Sequence, residues 1–169
     1  MNIASHLLYL LFSYFGPVKS VFAETHRFYS EVDDSATAFL EFSQGARGTL
    51  DVSWSIPGYR LSYIDLIVEG ENGTLELTND YIKLYLFRAA KEFPKEWTTI
   101  HKIDFAPSSK FELGGEGFYE EDLDFINCCL QRKTPLVTWR EGLEVQRIVE
   151  AIYRSADNKK VIDLGEIGL

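Results

Sequence analysis

Asn2, His6, Tyr9 and Ser13 fall at i, i+4, i+7 and i+11, the spacing that lines one side of a helix. Few other polar groups share that stretch. Partial burial on such a helix would place an imidazole near neutrality, where it can take and return protons. Asn2, one turn before His6, can orient the ring or bind a substrate hydroxyl. The residue types leave a second reading open, a core histidine whose nitrogens are satisfied by backbone carbonyls. Other chemical signatures are missing. No GxSxG, P-loop or HExxH occurs. His6, His26 and His101 are far apart in sequence and lie in different elements, which gives a metal site little support. Gly114-Gly115-Glu116-Gly117 is too short and in the wrong context for a dinucleotide-binding turn.

The elements that must hold this stripe are legible in the periodicity. Asn2 to Phe15 predicts a helix, apolar nearly all round and therefore buried on several sides, ended by Gly16-Pro17. From Val18 to about Asp104 the period is two. Ala36, Ala38, Leu40 and Phe42 alternate with Thr37, Phe39 and Glu41. After a turn at Gln44–Gly48, Leu50, Val52, Trp54 and Ile56 alternate with Thr49, Asp51, Ser53 and Ser55, the plainest hairpin in the chain. Ile64, Leu66 and Val68 share a face of the next strand, which meets a tight turn at Asn72-Gly73. Leu75 and Leu77 continue, followed by less regular strands at Tyr81–Phe87 and Trp97–Asp104. Phe105–Gly117 is either a mobile loop over a site or an ordinary surface crossing.

Two helices close the chain. Phe118–Gln131 carries the stripe Tyr119, Leu123, Ile126 and Leu130. Asp122 lies inside a wider apolar arc made with Phe118, Phe125 and Cys129, where it is either functional or favoured by the helix dipole. Thr138–Ala156 opens with a capping box, Thr138 and Glu141, and stripes Val145, Ile148, Val149, Ile152 and Ala156 against Glu144, Arg147, Glu150 and Arg154. Val161–Leu164 adds a short strand. The order predicts an α+β fold: an open, mainly antiparallel β-sheet with helices packed on one face. The other face would carry Thr37, Phe39, Asp51, Ser53, Tyr63 and Ile67. That mixture suits a subunit contact, or is an ordinary wet sheet surface.

A chain of 169 residues is expected to form one domain, residues 1–169. Its net charge of −9 argues against nucleic acid or an anionic membrane as partner, because both need a basic footprint. Cys128 and Cys129 are adjacent, so on a helix they point about 100° apart and are not expected to bridge. The apolar run Leu7–Phe15 has no Lys or Arg before it and is too short to span a bilayer, so a cytoplasmic protein is expected.

Four stretches, in order and spacing, resemble the C-terminal domain of the Gfo/Idh/MocA oxidoreductases. They are Asn2-Ile3-Ala4-Ser5-His6, Ser53-Trp54-Ser55-Ile56-Pro57-Gly58-Tyr59-Arg60, Glu69-Gly70-Glu71-Asn72-Gly73-Thr74-Leu75 and Thr138–Ala156. In that family a helix with the pattern Asp-x-x-x-His opens the C-terminal half, and its histidine faces substrate. Asn2 stands at the aspartate position, which weakens any proton relay through His6, since an amide cannot stabilise an imidazolium by charge.

The resemblance implies the substrate-binding and dimerising half of an NAD(P)-dependent oxidoreductase of sugars, cyclitols or related polyols. His6 would bind or polarise the reacting hydroxyl, Asn2 would orient it, and Tyr9 or Arg60 would contact substrate. The family's N-terminal Rossmann domain, with its catalytic lysine in Glu-Lys-Pro, is expected to be absent, and the sequence has no Lys-Pro pair. No cofactor is therefore expected in this chain, NAD(P) being implied only for a complete enzyme. A homodimer through the open sheet face and a separate Rossmann-domain subunit are the expected partners. The competing readings are a non-enzymatic homodimeric scaffold or small-ligand binder, and a truncated remnant.

Overall fold

The computed structural model describes residues 2–58, 63–105 and 116–168, the side chains of Asn2, Ile3 and Glu116 excepted. The described residues form an α+β fold with open antiparallel sheets, as the periodicity predicts. Its strands divide between two four-stranded sheets rather than one, and the chain falls into two compact units, residues 1–58 with 134–169 and residues 59–133.

In the first unit, helix α1 (Asn2–Phe15) precedes strands β1 (Val18–His26), β2 (Ser35–Phe42) and β3 (Arg47–Ser53). Gly16 takes a φ of +76° and donates its amide to the Phe12 carbonyl at 2.8 Å, which ends α1 where the Gly-Pro pair predicts. Near the C-terminus, helix α4 (Trp139–Asn158) leads into the two-residue strand β8 (Ile162–Asp163), giving the sheet order β3-β2-β1-β8. The alternation becomes a core: Ala36, Ala38, Leu40, Phe42 and Leu50 are buried, while Phe39 between them is 57% exposed. In register, Ala38 lies between Ala23 and Leu50 on the neighbouring strands. Every residue of the predicted α4 stripe is buried, Ile148 and Ile152 fully. Burying each such side chain contributes roughly 2–3 kcal/mol.

The α4 capping box is present: Arg140 donates its amide to Thr138 Oγ1 at 3.2 Å, and the Thr138 amide donates to Glu141 at 2.8 Å. The Thr138 hydroxyl, which also donates to Glu141, and then the Thr138 amide hold the Glu141 carboxyl below its ordinary range. Arg147 departs from its expected solvent role. Its guanidinium donates to the Leu164 and Ile167 carbonyls at 3.0 and 3.3 Å and fastens the last residues onto α4.

Two details of the hairpin β2–β3 differ from the pattern. The strand stops at Ser53, and Trp54 and Ile56 are 73% and 52% exposed instead of continuing the inward row. The Trp54 amide still donates to the Asp34 carbonyl at 3.1 Å, opposite it in the register of the Ser35–Ser53 pair.

The second unit is a meander of β4 (Asp65–Gly70), β5 (Gly73–Thr78), β6 (Tyr81–Leu86) and β7 (Glu96–His101). Its tight turn sits one residue earlier than the Asn72-Gly73 expectation, because Gly70 pairs with Gly73 and leaves Glu71-Asn72 as the loop. Gly73 is required for another reason: a Cβ there would lie 1.8 Å from the Tyr85 carbonyl oxygen on β6. The Trp97–Asp104 strand stops at His101, and a four-residue helix α2 (Lys102–Phe105) takes the rest. Helix α3 (Glu116–Gln131) begins two residues before the expected Phe118 start. Residues 106–115, the greater part of the Phe105–Gly117 connection, lie outside the described residues.

Candidate functional site

Helix α1 positions the proposed site residues. Ala4 and Leu8 are buried in the core, with Leu7, Leu11 and Phe15 packed against it, and this fixes the roll of the helix. His6 and Ser13 are consequently exposed on the side away from that core. The buried-histidine reading fails, and so does the partial burial expected from the sequence: a residue two positions from each of two buried side chains is turned out by the helical period. His6 makes no hydrogen bond among the described residues, so it is free to meet a ligand. Tyr9, on the same side in the helical spacing, is half-buried and packs against the core cluster, which gives its ring a structural task. Asn2 belongs to α1, but its side chain lies outside the described residues, as does all of Arg60. Of the four site residues named from sequence, the structure thus places Asn2, His6 and Tyr9 on one helix, with side chains described for His6 and Tyr9.

A second polar constellation has no counterpart in the sequence reading. Asp34 ends the loop between β1 and β2 and is 5% exposed. Its carboxylate accepts the Phe28 amide at 3.0 Å and the Tyr29 amide at 2.7 Å. Its carbonyl accepts the Trp54 amide, and its own amide donates to the His26 carbonyl at 3.0 Å. The Phe28 amide above all, opposed by burial and assisted by Tyr29 and Ser55, holds the Asp34 carboxyl below the usual carboxylate range. Next to it in sequence, Asp33 accepts the Tyr153 hydroxyl of α4 at 2.9 Å. Burial and then that carboxylate push the Tyr153 phenol up to about 12. These groups hold a loop in shape, and neither the lowered Asp34 carboxyl nor the raised Tyr153 phenol is poised to exchange a proton with substrate near neutrality. A short loop ending in aspartate is the only signal the sequence carried.

Nucleophile and metal chemistry find no support here. The Cys128 thiol lies 3.7 Å from Asp124, and burial together with that acid raises its pKa, the reverse of activation. Among the described residues no group of three or more His, Cys, Asp or Glu side chains can hold a metal ion. The strand–turn–helix unit of a dinucleotide fold does not occur among the described residues either. Every strand pairing of the described residues is antiparallel, whereas the phosphate-binding turn of a dinucleotide fold joins parallel strands through a helix. No described helix is long and apolar enough to cross a membrane.

Comparison with known proteins agrees with this geometry. The crystal structure of WlbA dehydrogenase from Bordetella pertussis, in complex with NADH and UDP-GlcNAcA, matches at 29% identity with a TM-score of 0.67, covering 100% of this chain and 45% of that one. Levoglucosan dehydrogenase in complex with NADH and levoglucosan matches at 20% identity and a TM-score of 0.79, over 98% and 50% of the two chains. An oxidoreductase from Agrobacterium radiobacter, in complex with NAD+, L-tartaric acid and magnesium, matches at 21% identity and a TM-score of 0.75, over 96% and 48%. The chain therefore spans about half the length of these solved relatives. No curated protein sequence matches it. Residues 1–164 match the model of the oxidoreductase family's C-terminal alpha/beta domain, and on that match the chain belongs to the Gfo/Idh/MocA family of oxidoreductases.

Proposed function

We propose that this chain is the substrate-binding and dimerising half of an NAD(P)-dependent oxidoreductase of sugars, cyclitols or related polyols, working in the cytoplasm. The match of residues 1–164 to the family's C-terminal domain carries the reading. Solved relatives that bind NADH together with UDP-GlcNAcA or levoglucosan support the substrate class. In this reading His6 polarises the reacting hydroxyl by donating or accepting its hydrogen bond, Asn2 orients that hydroxyl, and Tyr9 or Arg60 bounds the sugar. The nicotinamide cofactor, in this reading held by a partner domain, supplies hydride transfer.

The outward face of the first sheet is the proposed homodimer contact. Of the six residues named from sequence, Thr37, Phe39, Asp51 and Ser53 lie on that sheet, with Phe39 57% exposed; Ile67 lies on the second sheet and Tyr63 precedes it outside any strand. A second reading, a non-enzymatic homodimeric scaffold or small-ligand binder, is favoured by Asn2 standing where the family has aspartate.

The deciding experiment recovers the tagged protein from its own cells and measures the intact mass of what co-elutes. A stoichiometric protein with a strand–GxGxxG–helix unit and a Lys-Pro pair is the expected result. Recovery as a lone homodimer, with His6→Ala leaving every interaction intact, overturns the enzyme reading in favour of the scaffold.

A further inference from the structure

Helix α3 leaves a row of large apolar side chains exposed. Phe118, Phe125 and Leu130 are 62%, 66% and 76% exposed, and Ile126 and Leu123 are 51% and 38% exposed. At about 100° per residue, Phe125, Phe118, Cys129, Ile126, Tyr119, Leu130 and Leu123 sweep an arc of about 160°, wider than the stripe a helix needs to lie on one surface. An arc of that width seats a helix in a groove.

Charge selects the occupant. The helix holds five acids and no base, in a chain of net charge −9, so a second copy would bring like charge against like. Asp122 sits inside the apolar arc. With α3 starting at Glu116, it falls in the second turn, where the helix dipole has faded and no longer accounts for it. An acid in the middle of a docking stripe requires a cation opposite it when water is excluded. The solved relatives carry about as much chain again beyond the part matched here, so a body of domain size accompanies this fold in them.

We propose that α3 is the docking helix for the cofactor-binding partner, which presents an apolar groove with a Lys or Arg facing Asp122. This rests on the function proposed above. The test places a photo-crosslinking benzoylphenylalanine at Phe125, and separately at Phe39, in the tagged protein in its own cells.

From Phe125, the expected product is a single adduct to a protein whose sequence holds a strand–GxGxxG–helix unit. Asp122→Lys and Phe125→Ser, both exposed changes, are each expected to lower co-elution of that protein at least tenfold, with helical circular dichroism unchanged. If the GxGxxG protein co-elutes but crosslinks only from Phe39, or if Phe125 reports this same chain, the α3 assignment falls while the half-enzyme reading stands. If no such protein co-elutes, both fall.

Discussion

The two units of this chain use the same ingredients to different ends. In the first, Leu8, Val21, Ile148 and Ile152 are fully buried, and the apolar rows of strands and helices meet each other. In the second, the rows are as regular: Leu66, Leu77, Ile82 and Ile100 pair across four strands, and Val68, Leu75 and Leu84 across three. Yet Leu86, at 8%, is the only residue of that unit buried among those described. Hydrophobic patterning builds a strand ladder locally, but a core forms only where a second layer covers the row. The first unit carries its cover in α1 and α4. The second unit combines a half-buried sheet with an exposed α3, without a comparable buried core among its described residues.

Core truncation separates the units most sharply. Ile152→Ala is expected to cost about 2–5 kcal/mol in urea denaturation, the range for a buried aliphatic truncation. Leu75→Ala, at a half-buried site, is expected to cost less than half as much; equal losses would mean that the second sheet has a core of its own. Next in size is Gly73→Ala, whose Cβ must push back the Tyr85 carbonyl. About 1–3 kcal/mol of overpacking strain is expected, with hydrogen exchange accelerated in β5 and β6 and unchanged in α4.

Ser155 tests the first unit's polar seam. Its hydroxyl accepts the Ala23 amide at 2.9 Å and donates to the Lys160 carbonyl at 2.6 Å while fully buried. Ser155→Ala strands both partners and is expected to cost about 1–3 kcal/mol in the same denaturation. Tyr153→Phe is expected to cost about 1 kcal/mol through loss of the Asp33 bond.

The pH dependence of that bond has a definite sign. The folded phenol titrates near 12, above its ordinary value of 10.0, so its contribution is complete below pH 10 and disappears as pH rises through 12. Asp34 works oppositely: its lowered carboxyl stabilises the fold above the ordinary carboxylate value of 3.8 and loses that effect as pH falls below it. Asp34→Asn is expected to flatten the acid limb of a thermal-melting profile, and an unchanged limb would assign it to other carboxylates.

Much of this was written in local periodicity. The bounds of α1, the capping box at Thr138 and Glu141 and the inward rows of β2 and β3 follow from spacing, because helix and strand periods and caps are decided within a few residues. The same is true of the family resemblance. What spacing could not supply was the number of layers over each row, so one sheet was read where two are present, and Trp54 and Ile56 were placed inward although they are exposed.

The site divides in the same way. That Asn2, His6, Tyr9 and Ser13 share a helical side is arithmetic on residue numbers. Which way that side faces was settled when Ala4 and Leu8 found the core and turned His6 outward. The roles of Asp34 and Arg147 were invisible beforehand: Asp34 gathers the amides of a loop without periodicity, and Arg147 holds carbonyls brought to it from beyond the end of its helix. Periodicity is a property of neighbours along the chain; burial and hydrogen-bond satisfaction belong to neighbours in space, and only folding names those.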